Sequence, residues 1–266
     1  LGYERVIGVP VDDQGRMRAE ALPALDAATI VCIQAGNVNT GAFDPAAAIC
    51  AAAQEAGAWV HVDGAFGLWA AVAPNRAHLV EGVAQADSWA TDAHKWLNVP
   101  YDSGLAFCRH PKAMQAAMST AAAAYLMAGD ERVPYDYTPE LSRRARGIEI
   151  WAALRSLGRA GLVNMIERTC QHATHFAEGF RAAGYEVLNN VELNQVLVSF
   201  GDAELTRRVI AAVQAEGSCW SGGTVWQGHT AMRISVSSWA TTAEDVDRSL
   251  TAILRVAAAQ KSGRDN

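Results

Sequence analysis

The spacing of apolar and polar residues changes several times along the chain, and each change marks an element. Residues 29–34 (TIVCIQ) form an unbroken apolar run, the pattern of a strand buried on both faces of a parallel sheet. Residues 59–63 (WVHVD) and 86–91 read as two more short strands, the first turning from apolar to charged at Asp63. Between the first two, Asp44-Pro45 reads as an N-cap followed by proline in the first helical turn, and an alanine-rich helix runs to Gly57. Strand, helix, strand is a βαβ unit, so a mainly parallel sheet is expected. Upstream, residues 5–10 read as a strand, 12–15 as a turn and 19–25 as a short helix.

Further along, residues 104–109 suit a strand and 111–120 a helix, while 130–139 combine charges, two prolines and two tyrosines without a sustained period, as a loop would. Residues 140–157 predict a helix with Leu141, Ile148, Trp151 and Leu154 on one side and Arg143, Arg144 and Arg146 at its start. A long amphipathic helix over 162–183 ends at Gly184. The remainder reads β-α-β-α: a strand at 196–200, a helix at 204–216, a strand at 232–237, and a last helix opened by the capping box Thr241-x-x-Glu244. A boundary near Gly158 divides the chain into 1–158, part of a larger domain, and 159–266, a small α/β domain.

Composition narrows the class without naming a function. Half of the 266 residues are hydrophobic and 19% charged, ordinary for a globular chain with a sizeable core. A net charge of −6 offers no footprint for nucleic acid or an anionic membrane. The five cysteines are scattered and never form Cys-x-x-Cys, so they read as buried thiols of a reducing compartment. No apolar run reaches transmembrane length and the start has no signal-peptide pattern, which makes the cytoplasm the expected location.

The chemistry gathers between Trp59 and Asp102. Asp63 ends one predicted strand, and Lys95 lies in the loop that leaves the next (Asp92-Ala93-His94-Lys95). In an open α/β sheet ligands bind beyond the carboxyl ends of the strands, so both residues would face one crevice. An aspartate and a lysine so placed are what pyridoxal phosphate needs: an amine to condense with the cofactor aldehyde, and a carboxylate to keep the pyridine nitrogen protonated. On spacing alone, a structural Asp–Lys ion pair explains the two charges equally well.

The flanking residues resemble the group II pyridoxal-phosphate decarboxylases, the family of the aromatic amino acid, glutamate and histidine decarboxylases. Ser88-Trp89, residues 90–94 and Lys95-Trp96 match that family's Schiff-base signature; His61-Val62-Asp63-Gly64-Ala65 matches its HVD-(A/G)-A motif; and residues 36–45 (GNVNTGAFDP) match its glycine-rich turn, whose Gly36 and Gly41 would let backbone approach a ligand closely. The resemblance implies a fold-type-I pyridoxal-phosphate-dependent transferase-like α/β fold. The N-terminal part of the large domain, with the ring-stacking histidine and much of the phosphate loop, would be missing. It implies an L-amino acid decarboxylase acting as a homodimer, or in association with a chain that carries the missing segment. Another pyridoxal enzyme, either an aminotransferase or an aldehyde-forming one, and a non-catalytic half of a split protein are the competing readings.

Carried over residue by residue, the resemblance makes Lys95, Asp63 and Tyr125 catalytic and Lys95, Asp63, His94, Ala65 and Asp92 neighbours of the cofactor. Asp92 is an uneasy one, since a carboxylate repels a phosphate dianion. Tyr125 falls where the family keeps the phenol that protonates the α-carbon after CO2 leaves; aldehyde-forming relatives have Phe there. Ser88 and Thr91 suit strand residues as well as ligands, and Tyr101 could line the pocket. Arg233 could meet a carboxylate or form a structural ion pair. Trp69 and Trp96 suit core positions, and His172-x-x-His175 lacks a third metal ligand.

Overall fold

Two four-stranded sheets, each with its own apolar core, are joined by one long helix. The computed structural model describes residues 5–118 and 132–262. In the first sheet β1 (Ile30–Gln34), β2 (Trp59–Asp63) and β3 (Ser88–Asp92) run parallel in that spatial order, and β4 (Gly104–Cys108) returns antiparallel beside β3. Helix α1 (Ala46–Ala56) crosses between β1 and β2 and stops at Gly57, whose φ of 69° is the left-handed conformation that ends a helix.

Among the described residues, helices cover one face of this sheet. Ile49, Cys50 and Ala53 of α1, with Leu162, Met165 and Ile166 of α3 (Gly147–Ala182), pack against Val31, Ile33, Val60 and Val62. The alternate residues of β1, Ile30, Cys32 and Gln34, remain exposed. The apolar run at 29–34 is therefore a strand, but it is not buried on both faces among the described residues. Burial of the cysteines is likewise partial: all five are free thiols, only Cys50 and Cys170 are buried, and Cys32 is exposed. Burial pushes the Cys170 thiol up to about 11.

Asp44 is not the side-chain cap that Asp44-Pro45 suggested. Its two carboxylate oxygens accept the backbone N–H groups of Met17 and Gln34, each at 2.6 Å, and Pro45 occupies the N-cap position. The carboxylate thus ties the 11–17 turn to the end of β1. Residues 5–10 form no strand; a single bridge between Val11 and Met17 closes the turn, around an Asp12 Oδ1 that accepts from Gln14 and Arg16 amides. The short helix expected at 19–25 is reduced to a 3-10 turn over Ala19–Ala21, ahead of Pro23, which can donate no helical bond.

α2 (Pro111–Met118) precedes the segment 119–131, outside the described residues. The helix predicted from 140 begins at Gly147 instead. Residues 140–146 are drawn away by Asp102, whose carboxylate pairs with Arg146 at 3.2 Å and whose carbonyl accepts from Arg144 at 3.0 Å. The two helices predicted on either side of Gly158 meet there without a loop: Gly158 takes φ 59° and ψ −177°, a kink within α3. Packing passes from the first core to the second further along α3, between Cys170 and Ala173.

The second sheet holds four strands where the sequence pattern showed two. β5 (Glu186–Val187), β6 (Gln195–Ser199), β7 (Gly222–Trp226) and β8 (His229–Ser235) form an antiparallel sheet in the order β5-β6-β8-β7. β7 and β8 are a hairpin turned by Gln227-Gly228, both with positive φ, as a tight two-residue turn requires. α4 (Ala203–Glu216) is capped by Asp202, which accepts from the Leu205 amide. α5 (Ala243–Ser262) is capped one residue later than expected: Thr242 and Asp245, not Thr241 and Glu244, exchange the capping-box bonds. No helix among the described residues is long and apolar enough to cross a membrane.

Candidate active site

Each of the three chemistry-bearing motifs leaves the C-terminal end of one parallel strand. Residues 36–44 follow β1, 63–65 end β2 and 92–95 end β3. Because Gln34 lies opposite Asp63, and Asp63 opposite Ala90, the three ends come side by side. Backbone bonds join them: Ala35 donates to the Asp63 carbonyl at 2.8 Å, Gly64 to Ala90 at 2.9 Å and Asp92 to Ala65 at 2.8 Å.

Asp63 is exposed, and its Oδ1 accepts the Ala65 amide at 3.1 Å. That bond orients the carboxylate and is what Ala65 contributes; Oδ2 has no protein donor among the described residues. Lys95 does not pair with Asp63. Its Nζ lies 2.8 Å from Asp92 Oδ2, with the two side chains 46% and 32% exposed. The uneasy carboxylate at 92 therefore has a local role, holding the lysine amine over the strand end where solvent reaches it.

His94 is fixed by the backbone of Ser103. The Ser103 carbonyl lies 2.8 Å from Nδ1 and the Ser103 amide nitrogen 3.0 Å from it, so one tautomer donates to the first and the other accepts from the second. Tyr101, 81% exposed, places its ring centroid 4.2 Å from that of His94. Nothing in the sequence marks Ser103, because only the register of β4 against β3 brings it back to residue 94.

Other candidates separate clearly. Tyr125 lies outside the described residues. Ser88 serves its own sheet, with Oγ 2.9 Å from Trp59 Nε1 and 2.8 Å from His61 Nδ1, and Thr91 is buried on the covered face. Trp96 is fully buried and donates to Thr169; Trp69 packs at the edge of the first core. Arg233 reaches the glycine-rich turn, donating to the Val38 carbonyl at 3.3 Å, and forms no ion pair among the described residues. His175 pairs with Asp247, and no cluster of three metal-ligating side chains occurs among the described residues.

The glycines of the turn approach protein, not an open site. A side chain at Gly36 would meet Gly67 and the Phe66 ring, and one at Gly41 would meet Gln195 and Leu193. Gly67 is tighter still: an added Cβ would lie 2.0 Å from the Ala35 carbonyl oxygen. This is a close contact that Gly64-x-x-Gly67, directly after the aspartate, could have signalled.

Residues 2–201 match the family described as "Pyridoxal-dependent decarboxylase conserved domain". The chain belongs to this family. Among its decarboxylase-family relatives, a phenylacetaldehyde synthase of Petunia hybrida is 35% identical over 152 residues, covering 56% of this chain and 30% of that protein. Tyrosine/DOPA decarboxylase 5 of Papaver somniferum is 34% identical over 151 residues, covering 55% and 29%. The crystal structure of Oryza sativa TDC with PLP and tryptamine superposes with a TM-score of 0.82 at 24% identity, over 87% of this chain and 51% of that one. That likeness shows the fold, a fold-type-I pyridoxal-phosphate enzyme fold, and the chain spans about half of that structure and less of the curated relatives. Pyridoxal phosphate is the cofactor of the family, and the side chains at these strand ends suit it. Lys95 offers a solvent-reachable amine for an aldehyde, and Asp63 has a carboxylate oxygen free to accept from a protonated ring nitrogen.

Proposed function

We propose that this chain carries the lysine-bearing part of an enzyme that decarboxylates an L-amino acid to its amine and CO2. One observation carries the reading: the Lys95 amine and the Asp63 carboxylate stand on the ends of two paired parallel strands, exposed and not paired with each other. Bound there, pyridoxal phosphate would supply an electron-accepting ring. Asp63 would hold a ring N–H by accepting its hydrogen bond, in an orientation set by the Ala65 amide. Lys95 would anchor the aldehyde carbon, with Asp92 directing its amine until then. His94, fixed through Nδ1, would present its ring face or Nε2 to the cofactor, with Tyr101 shielding the ring from one side. Tyr125 would deliver the proton that replaces CO2, and Lys95 is the second group able to do so.

The names of the curated relatives favour an aromatic amino acid as substrate. They also supply the second reading, since one is an aldehyde synthase. Tyrosine at 125, where the aldehyde-forming relatives of this family carry phenylalanine, favours the amine. A homodimer belongs to the same reading: Ile148 and Trp151 on the first turns of α3, each 65% exposed, form an apolar face uncovered by the described residues. The deciding experiment is product analysis of the complete protein with L-tyrosine and L-DOPA in air. Amine and CO2 in equal amounts support the reading. Aldehyde with ammonia and hydrogen peroxide would overturn it in favour of the synthase.

A further inference from the structure

We propose that Ser103 is a positioning residue of the lysine site. Its main-chain amide holds His94 as the neutral imidazole with hydrogen on Nε2, which makes His94 a fixed hydrogen-bond donor toward an anionic oxygen of the bound cofactor or substrate. The tautomer rests on geometry alone, while its use at this site rests on the function proposed above.

Two contacts compete for Nδ1: the Ser103 carbonyl oxygen at 2.8 Å and the Ser103 amide nitrogen at 3.0 Å. Counting partners decides between them. The carbonyl already accepts two backbone N–H groups, from Ala93 at 2.9 Å and from His94 itself at 3.2 Å, which fills both of its lone pairs. The Ser103 amide has no acceptor among the described residues except Nδ1, and Ser103 is only 2% exposed. Hydrogen on Nδ1 would crowd a third donor onto a filled carbonyl and strand a buried N–H. With Nδ1 as the acceptor, each of these groups is satisfied. An imidazolium carries the same penalty, since it too needs hydrogen on Nδ1. The Ser103 hydroxyl takes no part: its Oγ is buried without a partner among the described residues.

The hydrogen then sits on Nε2, which meets no protein acceptor among the described residues. Asp92, two residues away, is paired with Lys95 Nζ at 2.8 Å, and the Tyr101 ring packs against the imidazole. The Nε2 hydrogen is left for a ligand. A donor beside the lysine amine suits a phosphate or carboxylate oxygen, whereas the other tautomer would turn a lone pair toward that oxygen and repel it.

The first test is long-range proton–nitrogen NMR of the histidine rings in the complete protein without cofactor, with His94 assigned by its loss in His94→Asn. His94 should show a pyridine-like Nδ1 and a pyrrole-like Nε2. Ser103→Ala, which keeps the amide, should leave that signature as it is, and Ser103→Pro, which removes the amide, should turn the ring to the Nδ1–H form. Two variants of His94 test the donor even where Ser103→Pro does not fold. Asn keeps an oxygen at the Nδ1 place and nothing at Nε2, while Gln brings an amide N–H near the Nε2 place. With the cofactor phosphate as acceptor, His94→Asn should weaken binding of pyridoxal phosphate about tenfold or more, His94→Gln less, and neither should change binding of pyridoxal. With the substrate carboxylate as acceptor, cofactor binding holds and KM for L-tyrosine rises by a similar factor, again more in Asn than in Gln. The proposal is overturned by hydrogen on Nδ1 in wild type, by an unchanged ring signature in Ser103→Pro, or by a His94→Asn protein with both cofactor affinity and KM intact. A protein that forms no amine and CO2 would sink the proposed function and leave the tautomer result standing.

Discussion

β1 and β6 are both five-residue strands, and each sits in surroundings its sequence disguises. IVCIQ is apolar up to its last residue, yet Ile30, Cys32 and Gln34 are exposed. QVLVS begins and ends polar, yet all five residues are buried. The difference lies in what each sheet has against it. Among the described residues, the first is backed by α1 and α3 on one face. β6 is central in its sheet: Val196 and Val198 pack with the helices, while Gln195 on the opposite alternation meets Gly41 of the first domain. The open face of the first sheet leads along the same alternation from Gln34 to its neighbour Asp63. The half-covered sheet is therefore where the candidate chemistry stands, while in the second sheet the central strand β6 is buried along its whole length.

That contrast can be broken by substitution. Lys95→Ala should lower activity of the complete protein by about a thousandfold or more, with the thermal midpoint of the cofactor-free protein unchanged, because an exposed pair with Asp92 contributes little to stability. Activity assays beside a melting curve check both halves, and a large loss of stability would move Lys95 into the structural class. Leu197→Ala, in the middle of β6, should cost about 2–5 kcal/mol by urea unfolding. Ile30→Ala, on the open face of β1, should stay within about 0.5 kcal/mol. Equal costs would mean that the open face is covered in solution.

Two smaller effects sharpen the picture between those extremes. Asp44→Asn should cost about 1–3 kcal/mol: both carboxylate oxygens accept backbone N–H groups, and the amide would turn a donor toward one of them. The loss is expected even though burial raises the Asp44 carboxyl above its ordinary value. The smallest effect is a pH dependence. Burial, with Arg168 and His175 adding to it, lowers the His172 pKa below its ordinary 6.5, against the opposing pull of Thr241 and Asp245. A histidine with a lowered folded pKa contributes fully above the ordinary value, and that contribution is lost as pH falls through 6.5 toward the folded pKa. Urea midpoints between neutral and mildly acidic pH should decline in wild type and decline less in His172→Gln.

Much of the site is legible in the order of residues, because its logic is local. A strand that ends in aspartate, a loop that carries lysine after the next strand, and a glycine-rich turn after the one before are all short-range patterns. The βαβ rule then sets those three ends side by side. The small domain is harder to read. β7 is glycine-rich and alternates with exposed positions, so no apolar run announces it, and β5 has only two residues. The capping box falls one residue later than its pattern suggests because two adjacent threonines compete for the cap, and only the bonds of Thr242 and Asp245 decide between them.

Residue type and spacing within a few turns or strands are enough to set the order of β1, α1, β2, β3 and β4, the parallel pairing of the first three strands, the placing of Asp63 at the end of one strand and Lys95 just past the end of the next, and the family. Long-range packing was needed to settle which face of the first sheet is covered and that Asp92, not Asp63, takes the lysine amine. It also settled that Ser103 fixes His94 and that Gly36 and Gly41 make room for protein instead of ligand. These depend on which distant segments pack together, and a side chain's partner is set by that packing, not by its neighbours along the chain.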